Sequence, residues 1–313
     1  MFLVVPVATA AVLLGSAFIF DGAGARWIFA GVPLALVTAF GLVHGFTLPE
    51  DYLKRWTKSH GVAITAENER IIRHYLLRGR RFRTVGALAG YIAYSIYHAV
   101  TIDRLPFGWI TSTFAGYLLG AAAAEVWAAR PERGTVRIAS LSPRRVTAYL
   151  PRTAVVLMRA VPVATIVLAV CWPIIPVRPE LADLPNLGRP NPIPIIAWTA
   201  ASAALWVLVE LTSRRIVNRP QPVESEEFIV VDDAIRSTAL HGMVGAGLAL
   251  MLGALSRALG DWTGLVGPGR LDGFFGGVMI VAAVGSILAW LRLGIDQDWI
   301  VRRVPSREKV PAA

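Results

Sequence analysis

Eight apolar runs, each close to the length of a membrane crossing, constrain this chain more than any other feature. A helix rises about 1.5 Å per residue, so roughly 20 apolar residues span the ~30 Å hydrocarbon core. Bounded by charge, Pro or Gly, the runs fall at 1–20, 27–46, 84–101, 107–128, 153–176, 192–213, 238–257 and 272–291. The run at 84–101 is short and carries three tyrosines, which makes it the least apolar in character. Backbone N–H and C=O groups find no water inside lipid, and helices satisfy them internally. The expected fold class is therefore all-α, a polytopic transmembrane helix bundle of about eight spans. The first run lacks a basic segment after Met1 and exceeds a usual signal-peptide core, so it reads as a helix.

Composition supports the membrane reading: 55% of residues are hydrophobic and 17% charged. Soluble domains sit near 45–50% and about 25%, which argues against a cytosolic enzyme or a secreted domain. A formal charge of +10 would point to nucleic acid in a soluble protein. Its placement says otherwise. The connections 47–83, 129–152, 214–237 and 292–313 hold 24 of the 31 Lys and Arg, and the alternate connections hold six. Positive side chains near helix ends resist translocation, so the basic connections and both termini belong in the cytoplasm, against anionic headgroups. No nucleic-acid partner is expected. The single cysteine, Cys171, lies in an apolar run and reads as packing.

The inner connections carry the organisation. Residues 61–83 place Ile71, Ile72, Tyr75 and Leu76 at helical spacing between charges, an amphipathic helix running into the third span. The cytoplasmic segment 214–237 has a similar character, acidic at Glu224, Glu226 and Glu227, then apolar, then basic at Arg236. An offset of 156 residues lays Gly86 on Gly242 and the third span on the seventh, so a tandem four-helix repeat is expected, 1–150 and 151–313. The connection 129–152 is basic, with Val146, Tyr149 and Leu150 against lipid or neighbouring helices. The outer connection 176–194 is Pro-rich and irregular.

Ionisable groups within a membrane are costly, so each needs a partner or a task. Glu125 and Glu210 lie at similar depths near inner helix ends, and the spans that follow enter with Arg159 and His241. Polar pairs from Glu125 to Arg159 and from Glu210 to His241 would satisfy all four, as structural locks or as a relay. Tyr91, Tyr94 and His98 share one helical face and would line a polar cavity, whereas Tyr97 and His98 equally fit an outer aromatic belt that also accounts for Trp109, Trp172 and Trp262. The pairs Gly41/Gly45, Gly86/Gly90, Gly116/Gly120 and Gly273/Gly277 have the four-residue spacing that brings helix backbones together. Asp232 and Asp233 read as a helix N-cap before AIRSTALHG rather than as an acidic metal site.

The chain contains no Walker A sequence, no HExxH and no GxSxG elbow. No catalytic residue, metal site or cofactor is expected; the chain does not read as an enzyme, and an integral-membrane enzyme acting on lipid is the least favoured reading. The stretches AEVWAARPERGTVRIASLSPRRVTAYLPR (124–152) and ELTSRRIVNRPQPVESEEFIVVDDAIRSTALHG (210–242) resemble uncharacterised multi-pass membrane proteins of high-GC Gram-positive bacteria. The resemblance covers about a fifth of the chain. It implies a bacterial cytoplasmic membrane and association with ABC-type ATPases, and brings no catalytic residues. Two functions follow as expectations. One is a permease-like or accessory subunit of a transport system, energised by a separate ATPase docked on 61–83 and 222–237. The other is a non-transporting scaffold or sensor whose inner loops bind a cytoplasmic regulator, as a monomer or a homo-oligomer. A packed core with Glu125 and Glu210 paired favours the second, and a polar cavity reaching Tyr91 and Tyr94 favours the first.

Overall fold

The computed structural model describes residues 45–101, 108–128, 137–138, 144–174, 192–219, 221–222, 226–266, 270–295 and 302–305. The runs expected at 1–20 and 27–46 lie outside the described residues, apart from the last two positions.

Helix α1, Glu50–His60, begins after Pro49, whose extended backbone (φ −63°, ψ 141°) leads the chain into the first turn. Glu50 and Asp51 open it and Lys58 and His60 close it, each sign at the favourable end of the helix dipole. Gly61 ends it in the left-handed region (φ 61°, ψ 35°), where its N–H bonds the Thr57 carbonyl. This helix is absent from the sequence expectation, because its charged surface hides the inward set Leu53, Trp56 and His60.

Helix α2 runs from Glu69 to Thr101 without a break. Its 33 residues measure about 50 Å, longer than a bilayer core, so the amphipathic segment and the third apolar run form one rod. Helix α3, Gly108–Ala128, lies against it with backbones in contact. A Cβ built on Gly86 or Gly90 would fall on the carbonyl of Gly116 or Ser112, and one on Gly116 or Gly120 on that of Gly86 or Phe82. Two of the four glycine pairs thus form one interface. Gly41 lies outside the described residues, while a Cβ on Gly45 would strike Thr84. Among the described residues Gly273 and Gly277 do not show the expected packing role, since a Cβ at either meets nothing within 4 Å.

The short helix α4, Val146–Tyr149, leads into α5, Arg152–Cys171, which continues as a tight turn over Trp172–Ile174. Helix α6 spans Ile193–Val217, α7 spans Glu226–Val266, and α8 spans Arg270–Ala289, ending in a wide turn at Trp290–Gly294. Two-residue strands β1, Arg137–Ile138, and β2, Gln221–Pro222, pair antiparallel and tie two of the basic connections together.

Among the described residues, four helical segments are long and apolar enough to cross a membrane: Arg152–Ile174, Ile193–Val217, Glu227–Thr263 and Leu271–Gly294. The third is the axis, with 83% of its apolar window buried, against 6% for the fourth. Leu240, Met243, Val244 and Met251 of α7 meet Leu118, Met158, Val209 and Ile216 in the main core. Helix α8 rests on α7 through hydroxyls, Ser286 Oγ donating to the Ala249 carbonyl at 2.7 Å and Ser256 Oγ to that of Met279 at 3.2 Å. Its outer residues Phe274, Ile280, Val281 and Ile287 remain exposed, as lipid-facing side chains are.

Two smaller cores flank the bundle. At one end, Trp172 and Trp262 pack with Ile195 and Ala258. Both indoles are buried, because α5, α6 and α7 converge there. At the other end, Leu53 and Trp56 of α1, Ile72 and Leu76 of α2, Val231 and Ile235 of α7, and Val304 form an inner core. The segments 61–83 and 222–237 therefore face each other. Thr65 Oγ1 and Asn68 Nδ2 each donate to Glu227 Oε1 at 2.6 Å. An apolar face on each makes mutual burial more favourable than separate exposure, so most of 231–237 is closed to an outside partner.

Candidate functional site

Where the inner core meets the bundle, α7 contributes Asp232, Asp233 and Arg236, all buried, Arg236 with 0% exposure. The helix begins at Glu226, so Asp232 and Asp233 lie in its interior and do not cap it. An i,i+4 step places Arg236 beside Asp232, its Nε donating to Oδ2 at 2.8 Å and its Nη2 at 2.7 Å from the same oxygen. The remaining guanidinium nitrogen, Nη1, donates to the carbonyls of Ile216 and Val217 at 3.2 and 2.9 Å. Those carbonyls end α6, and although that of Ile216 also accepts the Arg219 N–H at 3.4 Å, Arg236 serves both as an internal cap.

Arg219, in the bend between α6 and β2, bridges two carboxylates. Its Nη2 donates to Asp232 Oδ1 at 2.7 Å, and its Nη1 lies 4.0 Å from Glu125 Oε2. Burial works against the Arg219 cation, but Asp232 and Glu125 outweigh it and raise its pKa. Glu125, 6% exposed, also accepts the Tyr75 hydroxyl at 2.7 Å. Tyr75 stays protonated well above the ordinary tyrosine value of 10.0, held first by burial and then by the Glu125 charge. A second branch starts at Asp233, whose Oδ1 accepts the Tyr149 hydroxyl at 2.9 Å and lies 2.8 Å from Arg144 Nη1. The branches join α2, α3, α4, α6 and α7 through charge and hydrogen bonds alone.

The expected polar pairs are replaced by different partners. Glu125 takes Tyr75 and Arg219 instead of Arg159. Glu210 takes Arg159 on the preceding span, Nη2 at 3.1 Å, and Arg214 one turn on, Nε and Nη2 at 3.0 and 2.9 Å, instead of His241. The cause is packing order: α7 is central, so α6 turns Glu210 outward toward α5. His241 is buried and its Nδ1 lies 2.8 Å from the Ser237 carbonyl. Tyr91 is 8% exposed and Tyr94 is half-buried, on α2 near α3. The side chain of His98 lies outside the described residues. Thr238, one turn from Ala234, receives Trp56 Nε1 at 2.7 Å and lies 3.1 Å from His60 Nε2, which sets α1 against α7.

Sequence reading did not bring Arg219, Arg236, Tyr75, Arg144 or Tyr149 to this site. The spacing of Asp232 and Arg236 was the one local signal, and the others come from distant positions. Chemically, the described carboxylates of the cluster each face a cation or a phenol. No group of three or more His, Cys, Asp or Glu close enough to hold a metal occurs among the described residues. The arrangement fixes helices rather than presenting a nucleophile or an open base.

Both phenols make stability depend on alkaline pH. Tyr149 is also raised above 10.0, by burial first and by Asp233 second. A phenol whose folded pKa exceeds its unfolded value contributes fully below the unfolded value and less as pH rises through the window above it. Protein in detergent should keep a level melting temperature up to the ordinary tyrosine range and lose stability beyond it. Tyr149→Phe, which leaves the Asp233 oxygen short of a donor, should cost about 1–3 kcal/mol at neutral pH and flatten the alkaline decline. A variant as stable as the parent would refute the role given to the Tyr149 hydroxyl.

The fold and site together define a helical membrane protein with one end of its bundle locked by a buried ionic cluster. No family model, curated protein or solved structure matches the chain.

Proposed function

We propose that this protein is a non-transporting scaffold or sensor of a bacterial cytoplasmic membrane, its bundle holding a rigid inner face for a cytoplasmic regulator. The observation that carries this reading is the filled centre: α7 is buried along most of its apolar length, and Glu125 and Glu210 both hold cations. An open groove of about 620 Å³, lined by Leu48, Ala66, Glu69, Arg70, Arg73, His74 and Leu77, offers mixed charge at the start of α2 for the partner. The same groove favours the second reading, a permease-like subunit worked by a separate ATPase seated there.

Eight spans with both termini inside remain part of the proposal, supported by the 24-to-six division of basic residues. The tandem repeat gains support from two long helices that start at matching places, Glu69 in α2 and Glu226 in α7, each extending inward beyond its apolar run.

Cys171 is the only cysteine, so a Cys171→Ser background permits single-cysteine mapping. Cysteines at Tyr91 and Tyr94 should resist a membrane-impermeant thiol reagent from either side, while one at Arg70 should react from the cytoplasmic side. Labelling at 91 and 94 from outside would overturn the scaffold reading in favour of a transport path. Equal labelling of cysteines at Arg133 and Pro268 from one side would break the topology.

A further inference from the structure

The groove at the start of α2 carries an uneven set of charges. Glu69, the carboxylate of its lining, is engaged by Arg73 Nε at 2.6 Å, and Arg73 also holds Glu50 at 2.8 Å. Arg70 on the same lining is exposed, and among the described residues no carboxylate lies within ion-pair distance of it. One turn on, His74 Nε2 meets Arg78 Nη2. A guanidinium only donates, so the imidazole nitrogen is the acceptor.

Positions 70, 74, 78 and 81 advance by four, four and three residues. On the unbroken helix Glu69–Thr101 they form one stripe about 16 Å long. Arg81 at its end is exposed, 5.3 Å from the centre of the Phe46 ring, again with no carboxylate within ion-pair distance among the described residues. An aromatic face orients a guanidinium without neutralising it. Both ends of the stripe therefore keep an unneutralised cation, beside a groove floored by Leu48, Ala66 and Leu77.

Depth separates a lipid occupant from a protein one. The apolar run of α2 begins at residue 84, so on a straight helix Arg70 lies about 21 Å before it, whereas a headgroup layer is only about 5–8 Å thick. Arg81 is at the headgroups, and the groove is beyond them. A lipid phosphate reaches one end of the stripe, and a cytoplasmic protein reaches its whole length.

We propose that the groove and stripe seat an acidic amphipathic helix of a cytoplasmic protein, with carboxylates against Arg70 and Arg81 and an apolar side chain on Leu48 and Leu77. This rests on the scaffold reading and gives its regulator a chemistry. A helix laid along α2 repeats its side chains at the same three- and four-residue steps, so its carboxylates meet successive cations. The groove, about 620 Å³, has room for the apolar contacts between them.

The full chain would be placed in phosphatidylcholine nanodiscs, which add no net lipid charge, and titrated with two labelled synthetic helical peptides, followed by fluorescence anisotropy. One peptide carries a Glu stripe beside a Leu stripe, and the other has Lys at every Glu position. The parent should bind the Glu peptide at least about tenfold more tightly than the Lys peptide. Arg70→Glu should weaken the Glu peptide about tenfold and strengthen the Lys peptide, while Arg152→Glu, exposed on α5, should change neither. Arg70 has no hydrogen bond or ion pair among the described residues, so its variant should fold with the melting temperature of the parent. In cells, a benzophenone amino acid in place of His74 should cross-link to a protein whose mapped segment is net negative. Equal binding of the two peptides by the parent, unchanged binding by Arg70→Glu, or a neutral or basic cross-linked segment overturns the proposal. If Arg70→Glu lowers phosphatidylglycerol retention in mixed nanodiscs and leaves peptide binding unchanged, the stripe serves lipid and the proposal fails. Outside labelling of cysteines at Tyr91 and Tyr94, with the peptide preference intact, would remove the scaffold reading and leave the acidic partner. Loss of the preference with those two positions protected removes the partner alone.

Discussion

Asp232→Asn should destabilise this protein by about 3–5 kcal/mol, the largest effect expected of any single exchange that keeps side-chain size. Asp232 is the shared anion between Arg236, which has no exposed surface, and Arg219. Removing its charge takes the carboxylate from the buried Arg236, which keeps its bonds to the Ile216 and Val217 carbonyls, and leaves Arg219 with a carboxylate at 4.0 Å. A guanidinium cannot escape by losing its proton, so the desolvation cost falls on the fold. Thermal unfolding in detergent, followed by tryptophan fluorescence, should show a fall on the order of 10 °C. Asp232→Leu combined with Arg236→Met should be less harmful than Asp232→Asn, because it removes the stranded cation along with its partner. Glu210→Gln gives the contrast, since Arg159 and Arg214 keep 55% and 66% of their side chains in solvent. It should cost under about 1 kcal/mol. A loss below about 0.5 kcal/mol for Asp232→Asn would show that the cluster does not hold the helices.

The second large effect is expected at the α2–α3 contact. Gly116→Leu places a side chain where the Gly86 carbonyl and the Gly90 Cα lie, atoms that cannot move without separating the two helices. The loss of close backbone packing should cost about 3 kcal/mol or more and reduce the yield of monodisperse protein on size exclusion in detergent. Gly273→Leu, on the open face of α8, should leave both the elution profile and the melting temperature near those of the parent. If the two substitutions behave alike, the glycine contact is not what joins α2 to α3.

These two predictions show where sequence reading succeeds. The spacing of Gly86, Gly90, Gly116 and Gly120 was legible as a packing signal, since close approach needs small residues one turn apart. The same spacing at Gly273 and Gly277 meets no neighbour among the described residues, because nothing local tells a helix which face will meet one. Glu125 and Glu210 look equivalent along the chain, at one depth and near arginines. In the fold Glu125 is inside the cluster and Glu210 pairs apart from it with Arg159 and Arg214, because α3 and α6 present different faces to α7. Asp232 and Asp233 had the composition of a cap, yet the helix starts six residues earlier and carries them into its interior.

By itself the sequence determined that the chain is helical and apolar on the scale of a membrane, and that its positive charge collects in alternate connections. Both follow from local physics: backbone groups in lipid must bond within their own segment, and a positive loop resists crossing. Tertiary structure alone decided that α7 is the buried axis, that the inner segments cover each other, and that Arg219 and Arg236 complete a site around Asp232. Partner choice between separate elements depends on which faces meet, and that is a property of the packed bundle rather than of any single helix.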